Sequence, residues 1–131
     1  MILYRPVGLK EYLLIKESGF TEFPPRLPEQ PIFYPVTNQD YAEEIASMWN
    51  TKDEVSGYIG IVLRFEVDDG YIGKYDKKVV GNSRHEEYWI PAEELDEFND
   101  HITGKIEAVR VFYGEDFDEG QLDNLRELSD I

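Results

Sequence analysis

Residues 57–67 read GYIGIVLRFEV. Ile59, Ile61, Leu63, Phe65 and Val67 recur at every second position, while Arg64 and Glu66 fall on the opposite side. This alternation predicts a β-strand with one apolar face turned to a core. Asp68-Asp69-Gly70 predicts the turn that ends it.

On the N-terminal side, residues 2–6 (ILYRP) read as a short first strand closed by proline. Residues 8–18 carry Leu9, Tyr12, Leu13 and Lys16 at helical spacing, with Gly19 as the stop. IFYPV (32–36) is a second short strand that Pro35 places at an edge or ends. Thr37 is the expected N-cap of a helix running to about Asn50, with Asp40 in its first turn. Its apolar stripe is Tyr41, Ile45 and Met48, with Ala42, Ala46 and Trp49 beside it.

On the C-terminal side, residues 71–80 predict a weak, irregular strand ending at Gly81-Asn82-Ser83. HEEYWI (85–90) predicts another strand. Pro91 opens a helix whose Glu93 and Glu94 complement its positive end. Leu95, Phe98 and Ile102 form its stripe and Gly104 stops it. KIEAVRVFY (105–113) returns as a strand. The expected fold is α+β: a single domain over residues 1–114 with a curved, mostly antiparallel sheet and flanking helices. Residues 115–131 are expected to be an acidic C-terminal tail, with Leu122, Leu125 and Leu128 making a short amphipathic helix dispensable for folding.

With 131 residues, 41% apolar and 14% aromatic, the chain is long and apolar enough to bury a core. No apolar run approaches the length of a membrane span, and the N-terminus lacks the pattern of a signal peptide. The absence of cysteine excludes disulfides, thiol catalysis and thiolate metal sites, and a cytoplasmic location is expected. The net charge is −15, from 13 basic and 28 acidic residues. Such a chain repels phosphate backbones and anionic membranes, so neither nucleic acid nor membrane is expected as a partner. A basic protein partner, captured without catalysis in the manner of an immunity protein or antitoxin, is the alternative reading. The tail EDFDEGQLDNLRELSD (115–130) is its chief feature.

Chemistry-bearing positions are few. No glycine-rich nucleotide loop, nucleophile elbow, zinc-protease helix motif or calcium loop occurs. In FPPRLPEQPIFYPV (23–36), Pro24, Pro25, Pro28, Pro31 and Pro35 surround Arg26 in a stiff, extended loop. Arg5 is either an edge-strand ion-pair partner or a planar fork for a phosphate or carboxylate. His85, Glu87 and Trp89 share one strand face, so Glu87 is either a cross-strand ion-pair partner or a cleft carboxylate. Tyr34 ends a strand at the rigid loop, where its hydroxyl can reach a ligand. Tyr41 and Trp49 read as core. His85 and Glu87 make only two ligands, and no metal site is expected.

Two segments, LYRPVGLKEYLLIKESGF (3–20) leading to FPPRLPEQPIFYPVTNQDYAEEIASMWN (23–50), and EYWIPAEELDEFNDHITGKI (87–106), resemble a family of short bacterial proteins often labelled "ADP-ribosylation/crystallin J1". The order of basic first strand, helix, aromatic strand and late-strand glutamate is similar to that of compact ADP-ribosyltransferases. That resemblance implies a split, curved sheet clasping NAD, used as substrate without a metal. It implies that Arg5 contacts the dinucleotide, that Tyr34 (before Tyr41) flanks the nicotinamide, and that Glu87 is catalytic, hydrogen-bonding the ribose; Arg26, in the proline loop, is expected to join Arg5 in binding NAD. The chain departs from the family in lacking a Ser-Thr-Ser strand and in carrying Glu86-Glu87 where some members have Glu-x-Glu.

Overall fold

The computed structural model describes residues 1–131. In chain order the elements are β1 (Ile2–Val7), α1 (Leu9–Glu17), β2 (Ile32–Phe33), α2 (Gln39–Met48), β3 (Ile59–Val67), α3 (Asp69–Ile72), β4 (Lys77–Val79), β5 (Glu86–Tyr88), β6 (Ile90–Pro91), α4 (Leu95–Asp100) and β7 (Ile102–Tyr113). Single 3-10 turns at Asn50–Lys52 and Ala92–Glu94 flank α2 and α4, and a 3-10 run spans Glu119–Asp130.

The strand predicted from 57–67 is the middle of a three-stranded antiparallel sheet in the order β1-β3-β7. Its alternation is used on both faces. Ile59, Ile61, Leu63, Phe65 and Val67 join the main core, where Phe23, Phe33, Phe65 and Phe98 meet edge to face or tilted. Val62, on the opposite face, packs with Val36, Ala42 and Ala46 beneath α2. The fold is α+β with antiparallel pairing in every ladder, as expected.

The α2 helix turns a different face inward from the one expected. Ala42 and Ala46 are buried, whereas Met48 and Trp49 are exposed. The reason is the distance of approach. A Cβ placed on Gly60 would lie 2.5 Å from the Ala46 carbonyl oxygen and 2.7 Å from the Ala46 Cβ. Small residues on both elements permit that contact, and the larger apolar side chains are left outside. Gly60→Ala is therefore expected to destabilise the fold by about 1–3 kcal/mol through overpacking, read as a lowered midpoint in urea at unchanged m-value.

Pro35 was expected to place its strand at an edge or to end it; β2 does end at Phe33, yet the chain beside Pro35 lies inside the sheet. Val36 exchanges backbone hydrogen bonds with Tyr4 at 2.9 and 2.8 Å, and Tyr88 N–H donates to the Pro35 carbonyl at 2.9 Å. Residues 35–37 thus bridge β1 to β5, which pairs with β4. Proline is tolerated because only its carbonyl is required at that rung.

Other local differences have similarly local causes. Asn38, not Thr37, caps α2: its Oδ1 accepts the Tyr41 N–H at 2.8 Å, while the Thr37 hydroxyl donates to Glu86. Residues 69–72 form the one-turn helix α3, which the Asp68 side chain caps, so the weak strand shrinks to β4. Ile90–Pro91 pairs with β2 before α4 begins. The α4 helix ends at Asp100, and Gly104, at φ 73°, lies within β7.

The tail is not set apart from the domain. Leu125 and Leu128 are 2% and 3% exposed and belong to the main core, which corrects the expectation that residues 118–131 are dispensable. The run kinks at Leu125, and its charges stay outside the buried leucines. Glu127 anchors it to α1, accepting from the Tyr12 hydroxyl at 2.7 Å and from Lys16 Nζ at 2.8 Å. Burial pushes the Glu127 carboxyl up, but hydrogen bonds from Lys16 and Tyr12 outweigh it and hold the group below the ordinary carboxylate value. A depressed folded-state pKa contributes stability above the unfolded-state value, and that contribution is lost as pH falls through the folded one. Stability is thus expected to decline below about pH 4.3 more steeply in the native protein than in Glu127→Gln, as measured by urea midpoints across pH.

Candidate functional site

A cleft of about 630 Å³ opens in the structure. It lies between the start of α1, the proline loop, the end of α2 with the turn at 50–56, and β5. Its volume is within the range of small-molecule sites, about 300–1,000 Å³. Arg5, Arg26, Tyr34 and Glu87 all line it, together with Pro24 and Pro25 of the stiff loop. The structure thus brings all four candidate residues onto one wall system although they are far apart in sequence.

Register explains how Arg5 and Glu87 reach the cleft. β1 alternates half-buried and buried residues, and Arg5 takes a buried position between Leu3 and Val7. Val36 bridges both Tyr4 and Glu87, so the neighbouring rung carries β1 and β5 to the same region. Arg5 does not stand free there. Its Nε and Nη2 donate to the two oxygens of Glu11 at 2.7 and 3.0 Å, and its guanidinium lies over the Phe33 ring at 4.6 Å. That bidentate pair takes up most of its fork.

Arg26 is the freer cation. It donates to no other residue, and its Nε is shut off from solvent without an acceptor. Burial, and then the positive charge of Arg5, lower its pKa from the ordinary arginine value, with Glu11 acting in the opposite sense. Arginine remains protonated in proteins regardless, so Arg26 is a half-buried cation beside a second cation. Three cations (Arg5, Lys10, Arg26) and three carboxylates (Glu11, Asp53, Glu87) line the cleft. In a chain with 28 acids against 13 bases, that even balance makes the cleft less repulsive to an anion than the chain's net charge would suggest.

Glu87 is 9% exposed, and both its oxygens are held. The Tyr41 hydroxyl donates to Oε2 at 2.9 Å and Trp89 Nε1 donates to Oε1 at 2.7 Å. Burial, and then the Glu87 carboxylate, push the Tyr41 hydroxyl up to about 12, so it remains a donor at neutral pH. Tyr41 was expected in the core; its ring is only half buried and its hydroxyl serves the cleft carboxylate. His85, expected beside Glu87, stacks on the Tyr41 ring at 4.3 Å and meets Glu44 at 3.1 Å. Tyr34 is exposed and sets its ring edge-on to Trp89 at 5.9 Å.

Asn50, Asp53 and Ser56, which the sequence reading passed over, complete the opposite part of the lining. Their only sequence signal is a polar cluster after an amphipathic helix, which ordinarily reads as a solvated turn. Burial makes them unusual: Asn50 is 4% exposed. No group of three or more His, Asp or Glu residues is arranged to hold a metal ion, and no helix is long and apolar enough to cross a membrane. Comparison of the chain with protein-family models, curated proteins and solved structures finds no match.

Proposed function

We propose that the cleft binds NAD and that the protein cleaves its nicotinamide–ribose bond, by hydrolysis or by ADP-ribosyl transfer. The observation that carries this reading is a buried carboxylate, Glu87, oriented by two donors on the same cleft as Arg5 and Arg26. In the reaction the C–N bond breaks with its electron pair leaving on the nicotinamide nitrogen, and positive charge develops on the ribose. An acceptor hydroxyl, amine or water then bonds to that carbon and gives up a proton. A carboxylate fixed beside the ribose stabilises the developing charge more than the ground state. Each Glu87 oxygen has one protein donor and a further lone pair, enough to accept a ribose hydroxyl while keeping its orientation. Arg26 supplies charge for the diphosphate. The proline loop supplies a wall that needs little ordering on binding, the purpose its composition suggested.

The test is calorimetry of the protein with NAD, together with nicotinamide release over time. Binding with release supports the proposal. If the protein neither binds nor cleaves NAD, the enzyme reading falls and the non-catalytic acidic binder of a basic protein replaces it.

A further inference from the structure

Two buried side-chain polar atoms have no hydrogen-bond partner, Arg26 Nε and Asn50 Oδ1. Both residues line the same cleft. A buried polar atom left unpaired forfeits its hydration without replacement, and folded chains carry few of them. Their coincidence at one opening is therefore informative.

The identity of the unpaired Asn50 atom follows from its neighbours. The Ser56 hydroxyl donates its single proton to Asp53 Oδ2 at 2.7 Å, and Ser56 N–H donates to the same oxygen at 3.1 Å. The hydroxyl oxygen must then accept from Asn50, whose Nδ2 lies 2.9 Å away. The amide cannot be turned round without setting a carbonyl against the Ser56 oxygen while its proton is engaged. The carbonyl is thus the group left over. One unpaired atom is a donor on a cation and the other is a neutral acceptor.

We infer that Arg26 and Asn50 are ligand contacts, Arg26 receiving a phosphoryl group and the Asn50 carbonyl receiving an N–H from an NH₂ that an aromatic ring bears directly or on a carboxamide. The inference rests on the reading of the cleft as a nucleotide site and names the groups that read the nucleotide. Tyr34, Trp49 and Trp89, all exposed and all on the cleft, offer faces for such a ring. Asn50 makes the site selective, because a ring carrying oxygen in place of NH₂ would set two acceptors against each other in a water-poor wall. Both unpaired atoms are closed to solvent, so the wall must give as the ligand enters. Trp49 and Trp89 are the only tryptophans and report that movement by fluorescence.

NAD carries the required NH₂ in two places, on adenine and on the nicotinamide carboxamide, and matched nucleotide pairs separate them. Fluorescence titrations would compare adenosine diphosphate with inosine diphosphate, and nicotinamide mononucleotide with nicotinic acid mononucleotide. One pair is expected to differ at least about tenfold in favour of the NH₂ member, and Asn50→Leu should bring that ratio to within about twofold. Arg26→Ala is expected to weaken the preferred nucleotide at least about tenfold while leaving its dephosphorylated nucleoside unchanged, with Arg26→Lys restoring part of the loss. Should Asn50→Leu not fold, the comparison of pairs on the native protein decides the matter. Equal affinity within both pairs, or no binding of any of the four, overturns the Asn50 assignment. Unchanged affinity in Arg26→Ala overturns that of Arg26. The outcomes separate from those of the proposed reaction: nucleotide discrimination without nicotinamide release leaves this inference standing, and release without discrimination removes it alone.

Discussion

Replacing Leu125 and Leu128 together with alanine is expected to cost about 4–8 kcal/mol of folding free energy. Each is nearly inaccessible and each belongs to the main core, which includes Tyr12 and Ile15 of α1. Removing both side chains opens cavities in one core cluster, so their effects need not add. Small domains hold only about 5–15 kcal/mol in total, so the double variant should be largely unfolded or unfold more than about ten degrees earlier. Leu122 provides the control. It is exposed on the same run, and Leu122→Ala should change stability by less than about 0.5 kcal/mol. Deleting residues 118–131 should be as damaging as the double substitution, since it also removes Glu127 from Tyr12 and Lys16. A deletion variant that melts within a few degrees of the native protein would show that the tail does not hold the core closed.

Glu87→Gln is expected to lower the rate of nicotinamide release at least about 100-fold with NAD affinity nearly unchanged. The substitution keeps shape and one acceptor but removes the negative charge that, in the proposed reaction, stabilises the developing ribose cation. The fold should tolerate it for a specific reason. Trp89 Nε1 can only donate, so the glutamine carbonyl must face it, and the amide NH₂ then faces the Tyr41 hydroxyl. A hydroxyl can turn to accept, so no donor is left opposed. Circular dichroism and a thermal transition close to native would confirm that the loss is chemical. Normal turnover in a folded Glu87→Gln would remove Glu87 from the reaction while leaving NAD binding intact.

Period and composition made much of the secondary structure legible. The alternation in residues 57–67 specified the central strand because a half-buried strand must sort its side chains by face. Gly19, at φ 81°, ends α1 where a left-handed residue is needed. The sequence also supplied Arg5, Arg26, Tyr34 and Glu87 as residues worth placing together, through the order of their segments and the stiffness of the proline loop.

Packing decided the rest, since it depends on partners distant in the chain. The inward face of α2 could not be read from its own stripe, because Gly60 of β3 sets how near the helix comes and so favours Ala42 and Ala46 over Met48 and Trp49. The tail looked too acidic to dock. Its leucines nevertheless find a place in the core while its charges stay in water, and average composition cannot separate those two sides. The same holds in the cleft. Sequence alone favours Arg5, on the first strand, as the ligand-binding fork, but α1 brings Glu11 to Arg5 and no acceptor to the Arg26 Nε. Which arginine is paired inside the protein and which keeps a buried N–H without an acceptor is a question of hydrogen-bond supply, and only the tertiary structure allocates it.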